Sequence, residues 1–302
     1  MTTQLVTLIG GSGFIGRALA ARLLSAGCGV RVVARSARAE DLPDGAEPVQ
    51  ADVRNEAAMA DAMAGSDAVV YLPGLVQAAR ASDYWALHHD APKHCAERAR
   101  SAGIRTFVFF SAMGVAPDAP SLADRTKAEG EAAVRAAFPE SSIVRPSLVF
   151  GPDDHFVRST ARMLRSLPVF PLIGGGRTRF QPLHLDDMTA ALAALLTRES
   201  VRGRTWELGG TAIYSLRELV VRIRDAGKLR TRLVGLPFPL AMLLASASEM
   251  LPNPPLIRDQ VRLLRTDKVV GGVSATLHDL GLRPQRFEDH LPELVRAALS
   301  EA

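Results

Sequence analysis

In the first half of the chain, short apolar runs alternate with longer stretches whose apolar residues recur every three or four positions. LVTLI, VRVVAR, EPVQAD, DAVVYLPG, IRTFVFFSA and SSIVRPSLVFG read as strands. Each is short, carries β-branched or aromatic residues, and is bounded by Gly, Pro or charge. FIGRALAARLLSAG, NEAAMADAMAG, the stretch from Asp83 to Gly103 and SLADRTKAEGEAAVRAAF read as helices. Gly27 ends the first, Pro92 marks a start or kink in the third, and Ser121 stands at the N-cap of the last. Regular alternation of this kind predicts a parallel sheet covered by helices on both faces. Right-handed crossovers then make it doubly wound.

After Gly151 the rhythm changes. Glycine- and proline-rich connections (PLIGGGRTRFQP, LVGLPFPL, LPNPPL) separate shorter elements. The pattern predicts an α/β protein: a doubly wound parallel sheet over residues 1–150, with a smaller, mixed C-terminal region over the strand ends. The helical pattern DDMTAALAALLTRES returns 182–200 to the main domain, which leaves 151–181 and 201–302 to the smaller substrate or docking region.

Composition adds exclusions. The 302 residues are 47% hydrophobic and 23% charged, which argues for an ordinary globular chain. A net charge of +4 is too weak to argue for nucleic acid. Cys28 and Cys95 cannot form a disulfide framework, so a reducing compartment is expected. MTTQLVTLIGG has no basic leader and runs straight into a strand. The most apolar stretch, from Leu233 to Ile257, is broken by five prolines and is not expected to span a membrane.

The first strand opens into G-x-x-G-x-x-G at Gly10, Gly13 and Gly16. The chain must turn sharply, approach a pyrophosphate without a Cβ in the way, and then pack a helix tightly on the sheet. The amides around Ser12, Phe14 and Ile15 face the phosphates at the positive end of the helix. This strand–loop–helix context identifies the Rossmann dinucleotide fold. NAD sites place an acid at the end of the second strand; here Arg35 stands there and Arg38 follows. A guanidinium suits a 2′-phosphate, so NADP(H) is favoured over NAD(H). Asp52 and Val53 end the third strand at the adenine edge, and Leu72, Pro73 and Gly74 end the fourth beside the cofactor.

The glycine motif, a strand ending FFSAMG, a lysine in the next helix and VRPSLVFGPDD resemble the extended or atypical short-chain dehydrogenase/reductases. RTKAEGEAAVRAAFPESSIVRPSLVFGPDDHF, PLIGGGRTRFQPLHLDD and LPNPPLIRDQVRLLRTDKVV further resemble the nucleotide-binding accessory subunit of respiratory complex I and its bacterial relatives. The resemblance covers nearly the whole chain. It implies that Ser111 bonds a substrate oxygen, that Lys127 holds the nicotinamide ribose, and that Pro146 and Ser147 flank the nicotinamide amide. His88 matches a position where many extended members have asparagine. One departure stands out. Catalytic members carry a tyrosine four residues before the lysine, and this chain has Ala123. None of its three tyrosines, Tyr71, Tyr84 and Tyr214, is near this helix in sequence. Asp124 points about 100° further round the helix and is a poor substitute for a neutral proton donor.

Bland readings accompany the remaining candidates. His88, His89 and His94 lack the acidic or cysteine partners of a metal site and read as surface or cleft histidines. Asp153, Asp154 and His155 offer an alternative acid–base pair or simply a charged loop, and Asp186 and Asp187 read as helix capping. Residues 230–265 set an apolar stretch between arginines. That segment fits a membrane surface, a protein partner, or the wall of a substrate region. Two functions follow. One is an NADP(H)-binding accessory, assembly or redox-sensing partner of a quinone-linked respiratory complex. The other is an NADPH-dependent reductase or epimerase of unusual mechanism, acting on a quinone, carbonyl or nucleotide sugar. The expected location is cytoplasmic or peripheral at the inner face of a membrane, with neither metal nor nucleic acid involved.

Overall fold

A computed structural model describes residues 4–78, 80–252, 254–272 and 274–300. The first half runs β1 (Leu5–Ile9), α1 (Phe14–Ser25), β2 (Gly29–Ala34), β3 (Glu47–Gln50), α2 (Glu56–Met63), β4 (Ala68–Tyr71), α3 (Ala81–Trp85), α4 (Ala91–Ser101), β5 (Thr106–Phe110), α5 (Leu122–Ala137) and β6 (Ser142–Pro146). The second half follows with β7 (Val149–Phe150), α6 (His155–Ser166), β8 (Val169–Ile173), β9 (Arg179–Phe180), β10 (Leu183–His184), α7 (Leu185–Thr197), β11 (Thr205–Leu208), β12 (Tyr214–Ser215), α8 (Leu216–Ala226), β13 (Arg232–Leu236), α9 (Phe238–Ser248), α10 (Arg258–Leu263) and α11 (Phe287–Ser300).

The main sheet has seven strands in the order β11-β6-β5-β4-β1-β2-β3. Every neighbouring pair in it is parallel. The chain winds outward from β1 to β3, then restarts on the other side of β1 at β4. That reversal opens a crevice at the carboxyl ends of β1 and β4, where doubly wound sheets bind ligands. Alternation along the strands builds two cores. Val6, Leu8, Val32 and Val70 pack with Leu19 and Leu23 of α1 and Leu192 and Leu195 of α7. Ile9, Val33, Val69 and Tyr71 pack with Met59, Cys95 and Val134 on the other face.

Two expectations need correction. SSIVRPSLVFG is not one strand. β6 ends at Pro146, the chain leaves the sheet at Ser147 and Leu148, and β7 pairs instead with β10. β11 lies within 201–302, yet it pairs with β6 as the edge of the main sheet, and fully buried Trp206 joins that sheet's core. Asp83 to Gly103 is mainly helical, as expected, with a π-helical stretch, Ala86–Asp90, between α3 and α4. That stretch packs on α5. A Cβ on Gly130 would lie 1.8 Å from the His88 carbonyl oxygen, so the two backbones touch at a glycine. Most of the remaining elements form a separate core around Phe150, Leu164, Leu172, Leu219, Phe287 and Val295, while α9 and α10 pack on each other through Ala241, Ala245 and Val261.

Candidate nucleotide site

The loop after β1 shows why its glycines are there. Gly10 sits at φ +75°, and a Cβ on it would come 2.9 Å from the Pro73 ring. A Cβ on Gly16 would lie 2.4 Å from Gly11 Cα, so α1 rests directly on the loop. Gly13 is exposed and faces open space, apart from an ordinary contact with the Gly10 carbonyl. α1 has no side-chain N-cap, so its first amides are left for a ligand. Gly11, which the sequence motif passes over, is as constrained as the motif glycines: its Cβ would strike Leu8.

A cavity of about 530 Å³ opens beside this loop. Gly10, Ser12, Arg35, Asp52, Val53, Pro73 and Gly74 line it, together with Ser36, Arg54 and Gln77. The wall mixes apolar strand ends with a few polar groups, the usual make-up of a cofactor cleft. Arg35 is exposed at the cavity and has no hydrogen-bond or ion-pair partner among the described residues. Asp52 is held by Arg54 in a forked pair at 2.9 and 2.5 Å, and this hydrogen bonding draws its carboxyl down to about 2. Arg38 is turned toward Glu40 at 3.4 Å and does not line the cavity. Phe14, Ile15, Gly16 and Leu72 stand behind the lining, with Ile15 and Leu72 packed on the core.

Ser111, Lys127, Pro146 and Ser147 lie at the other end of the crevice, outside the cavity lining. Lys127 Nζ donates to the Ser111 carbonyl at 3.4 Å and approaches Gly74, whose Cβ would lie 3.3 Å away. Burial pulls the Lys127 ammonium down to about 8, and the charge of Lys268 adds to the effect against opposing Asp124. His88 is buried between these groups. The Leu75 amide donates to its Nε2 at 2.9 Å, and its Nδ1 lies 2.9 Å from Thr126 Oγ1. Because Nε2 accepts, the proton sits on Nδ1 and points at Thr126, whose hydroxyl donates onward to the Leu122 carbonyl. Desolvation, with help from Lys127, pushes this histidine down to about 3, so it is neutral. Ser111 Oγ is buried and has no hydrogen-bond partner among the described residues.

The chain's own C-terminal segment closes over this end. Asp259 of α10 accepts from the Leu122 and Ala123 amides at 2.7 and 3.1 Å, completing the N-terminus of α5 beside Ser121. Lys268 pairs with buried Asp124 at 2.8 Å, and its carbonyl accepts from Ser147 Oγ at 2.6 Å. Thr266, Asp267 and Lys268 press on Gly114, where a Cβ would fall within 2.7 to 3.2 Å of each. Asp259 and Lys268 lie in LPNPPLIRDQVRLLRTDKVV, but their roles were hidden because their partners are 136 and 144 positions away; Arg54 acts on a carboxylate only two residues before it and was simply passed over.

The other sequence candidates lie elsewhere. Asp153 and Asp154 line a separate cavity of about 340 Å³ with His184 and His290. Asp154 caps α6 and Asp153 pairs with Arg158. Capping of α7 falls to the His184 ring, not to Asp186 or Asp187; Asp187 instead accepts from the Gln285 amide at 2.8 Å. Among the described residues no group of three or more His, Cys, Asp or Glu could hold a metal, and no helix is long and apolar enough to cross a membrane.

A glycine-turned strand opening onto a bare helix N-terminus, at the switch point of a parallel sheet, defines an NAD(P)-binding Rossmann protein. The chain belongs to the NAD dependent epimerase/dehydratase family, whose description matches residues 6–209. A curated relative, the NADH dehydrogenase [ubiquinone] 1 alpha subcomplex subunit 9 of Arabidopsis thaliana mitochondria, is 31% identical over 96% of this chain and 76% of its own length. A protein named ceramide reductase from Caulobacter vibrioides is 29% identical over 74% of this chain and 75% of its own. In fold, the chain resembles dTDP-glucose 4,6-dehydratase from Streptomyces venezuelae, solved with NAD, at a TM-score of 0.75 and 20% identity, covering 99% of this chain and 97% of that one.

Proposed function

We propose that this protein holds NADP(H) as a resident ligand without turning it over, as an accessory, assembly or redox-sensing partner of a quinone-linked respiratory complex. The observation that carries this reading is the state of the nicotinamide end. Ala123 occupies the position of the proton-donating tyrosine, and its amide is bonded to Asp259. Lys268, ion-paired to Asp124, stands over the same helix turn. Cofactor-binding groups persist in the glycine loop, in Arg35 and in Lys127. Arg35, with Ser36 beside it in the cavity wall, favours the 2′-phosphate of NADP(H). Relatives named as subunits of NADH dehydrogenase [ubiquinone] supply the partner class.

The test is to denature the purified protein and identify the nucleotide released, then offer NADPH with short-chain quinones and carbonyls. NADP(H) release near one per chain with no turnover is the expected result. Turnover at an ordinary enzymatic rate, on the order of 1–10 per second, overturns it.

A second reading, an NADPH-dependent reductase, has its own support. Ser111 Oγ is unpartnered, Lys127 is tuned to about 8, and one relative is named a ceramide reductase. A bound nicotinamide would supply hydride. Ser111 would bond the carbonyl oxygen and Lys127 would give it a proton. Ser111→Ala and Lys127→Ala should then each abolish turnover; a rate that survives both removes this reading.

A further inference from the structure

α9 is an eleven-residue helix, FPLAMLLASAS, with no charged residue. One face is accounted for: Ala241 and Ala245 pack with Val261 of α10 and with Phe238 and Met242. The opposite face is not. Leu240, Leu243 and Leu244 recur at helical spacing and point outward, with Leu243 66% exposed. Met250, 87% exposed, and Leu251 continue the patch past the helix end. A helix apolar all round is expected where both faces are covered. Here only one face is covered within the chain.

The chain on either side of the patch is basic. Residues 228–265 hold six Lys and Arg against two acidic residues, a surplus of four that matches the whole chain's net +4. Both acids are engaged: Glu249 with Arg258 at 2.7 Å, and Asp259 with the start of α5. Arg230 and Arg232, just ahead of α9, are exposed and have no side-chain partner among the described residues.

Charge and composition choose the occupant. A second copy would bring two basic segments together, which association disfavours. Cores of protein interfaces are enriched in aromatic residues, and the outward face of α9 is wholly aliphatic. Aliphatic residues flanked along the chain by arginine suit acyl chains bordered by phosphate. At about 1.5 Å per residue the helix is far too short for a hydrocarbon core of about 30 Å, so it would lie in the plane of the surface.

We propose that the outward face of α9 seats in the headgroup boundary of an anionic bilayer, with Arg230 and Arg232 against lipid phosphates. The seat would be firm. Gln77, in the wall of the nucleotide cavity, donates to the Pro254 carbonyl at 3.1 Å, and Gln260 of α10 donates to Gln77 at 3.2 Å. These bonds join the cavity wall to the segment after α9 and to α10, on which α9 packs. This inference takes only its setting, a membrane, from the function proposed above.

The experiment is co-sedimentation of the full chain with vesicles of phosphatidylcholine alone or mixed with phosphatidylglycerol. Binding should require phosphatidylglycerol and weaken as salt rises. The double variant Leu243→Glu/Leu244→Glu should lose binding at least tenfold. Arg230→Glu/Arg232→Glu should lose about fivefold per charge at low salt. All these side chains are exposed, and an unchanged melting temperature verifies that the variants are folded. Equal binding to neutral vesicles, or none to either, overturns the proposal. So does a concentration-dependent dimer, seen by light scattering, that the leucine variant dissolves. The vesicles carry no protein and the assay needs no nucleotide, so its failure leaves the nucleotide reading standing.

Discussion

Arg35 and His88 do opposite things with charge. Arg35 offers an unspent guanidinium to the cavity, so Arg35→Ala should weaken NADPH binding by roughly tenfold or more while leaving NADH unchanged, as titration calorimetry with both nucleotides would show. An equal loss for both would mean that Arg35 does not read the 2′-phosphate. His88 is held neutral, its folded value near 3 against an ordinary value near 6.5. Its contribution to stability is therefore present above about pH 6.5 and is lost as pH falls toward 3, because the unfolded chain takes up a proton that the folded one refuses. The slope for this one proton approaches about 1.4 kcal/mol per pH unit. Denaturation of wild type and His88→Asn across that window should show the variant with a shallower acid slope. Parallel slopes would assign the acid sensitivity to other groups.

At the scale of elements, α5 is where sequence and structure diverge most usefully. Its span and its Ser121 cap were legible, because a serine ahead of an amphipathic run is a local signal. So were the first five strands, the start of the sixth, and the turn at Gly10 and Gly16, since each rests on neighbours close in sequence. The second cap, Asp259, was not legible: it lies 136 positions from Ala123 and belongs to an unremarkable short helix. The π-helical turn was equally hidden, and the close contact it makes is with Gly130 on a different helix. Both make predictions. Asp259→Ala should cost about 1–2 kcal/mol in urea denaturation, by leaving the Leu122 and Ala123 amides unbonded. Gly130→Ala should cost at least about 1–3 kcal/mol, since its Cβ cannot coexist with the His88 carbonyl in the present packing. A neutral Gly130→Ala would show that the π-helical turn can shift freely.

At the scale of the molecule, nucleotide and stability are linked. NADPH at a hundredfold excess over its dissociation constant should add about 2.7 kcal/mol to the folded state and raise the melting temperature by several degrees, a shift that differential scanning fluorimetry would detect. No shift with either nucleotide would count against a resident ligand. The placement of β11 bears on how the protein can be made. The edge of the sheet beyond β6 is completed only by residues 205–208, and α7, which covers α1, comes from residues 185–197. During synthesis the nucleotide-binding half therefore emerges first, with a bare strand edge and an uncovered helix, and must wait for more than fifty further residues before it is closed. A nascent chain stalled at residue 150 is thus an aggregation hazard rather than a folded module.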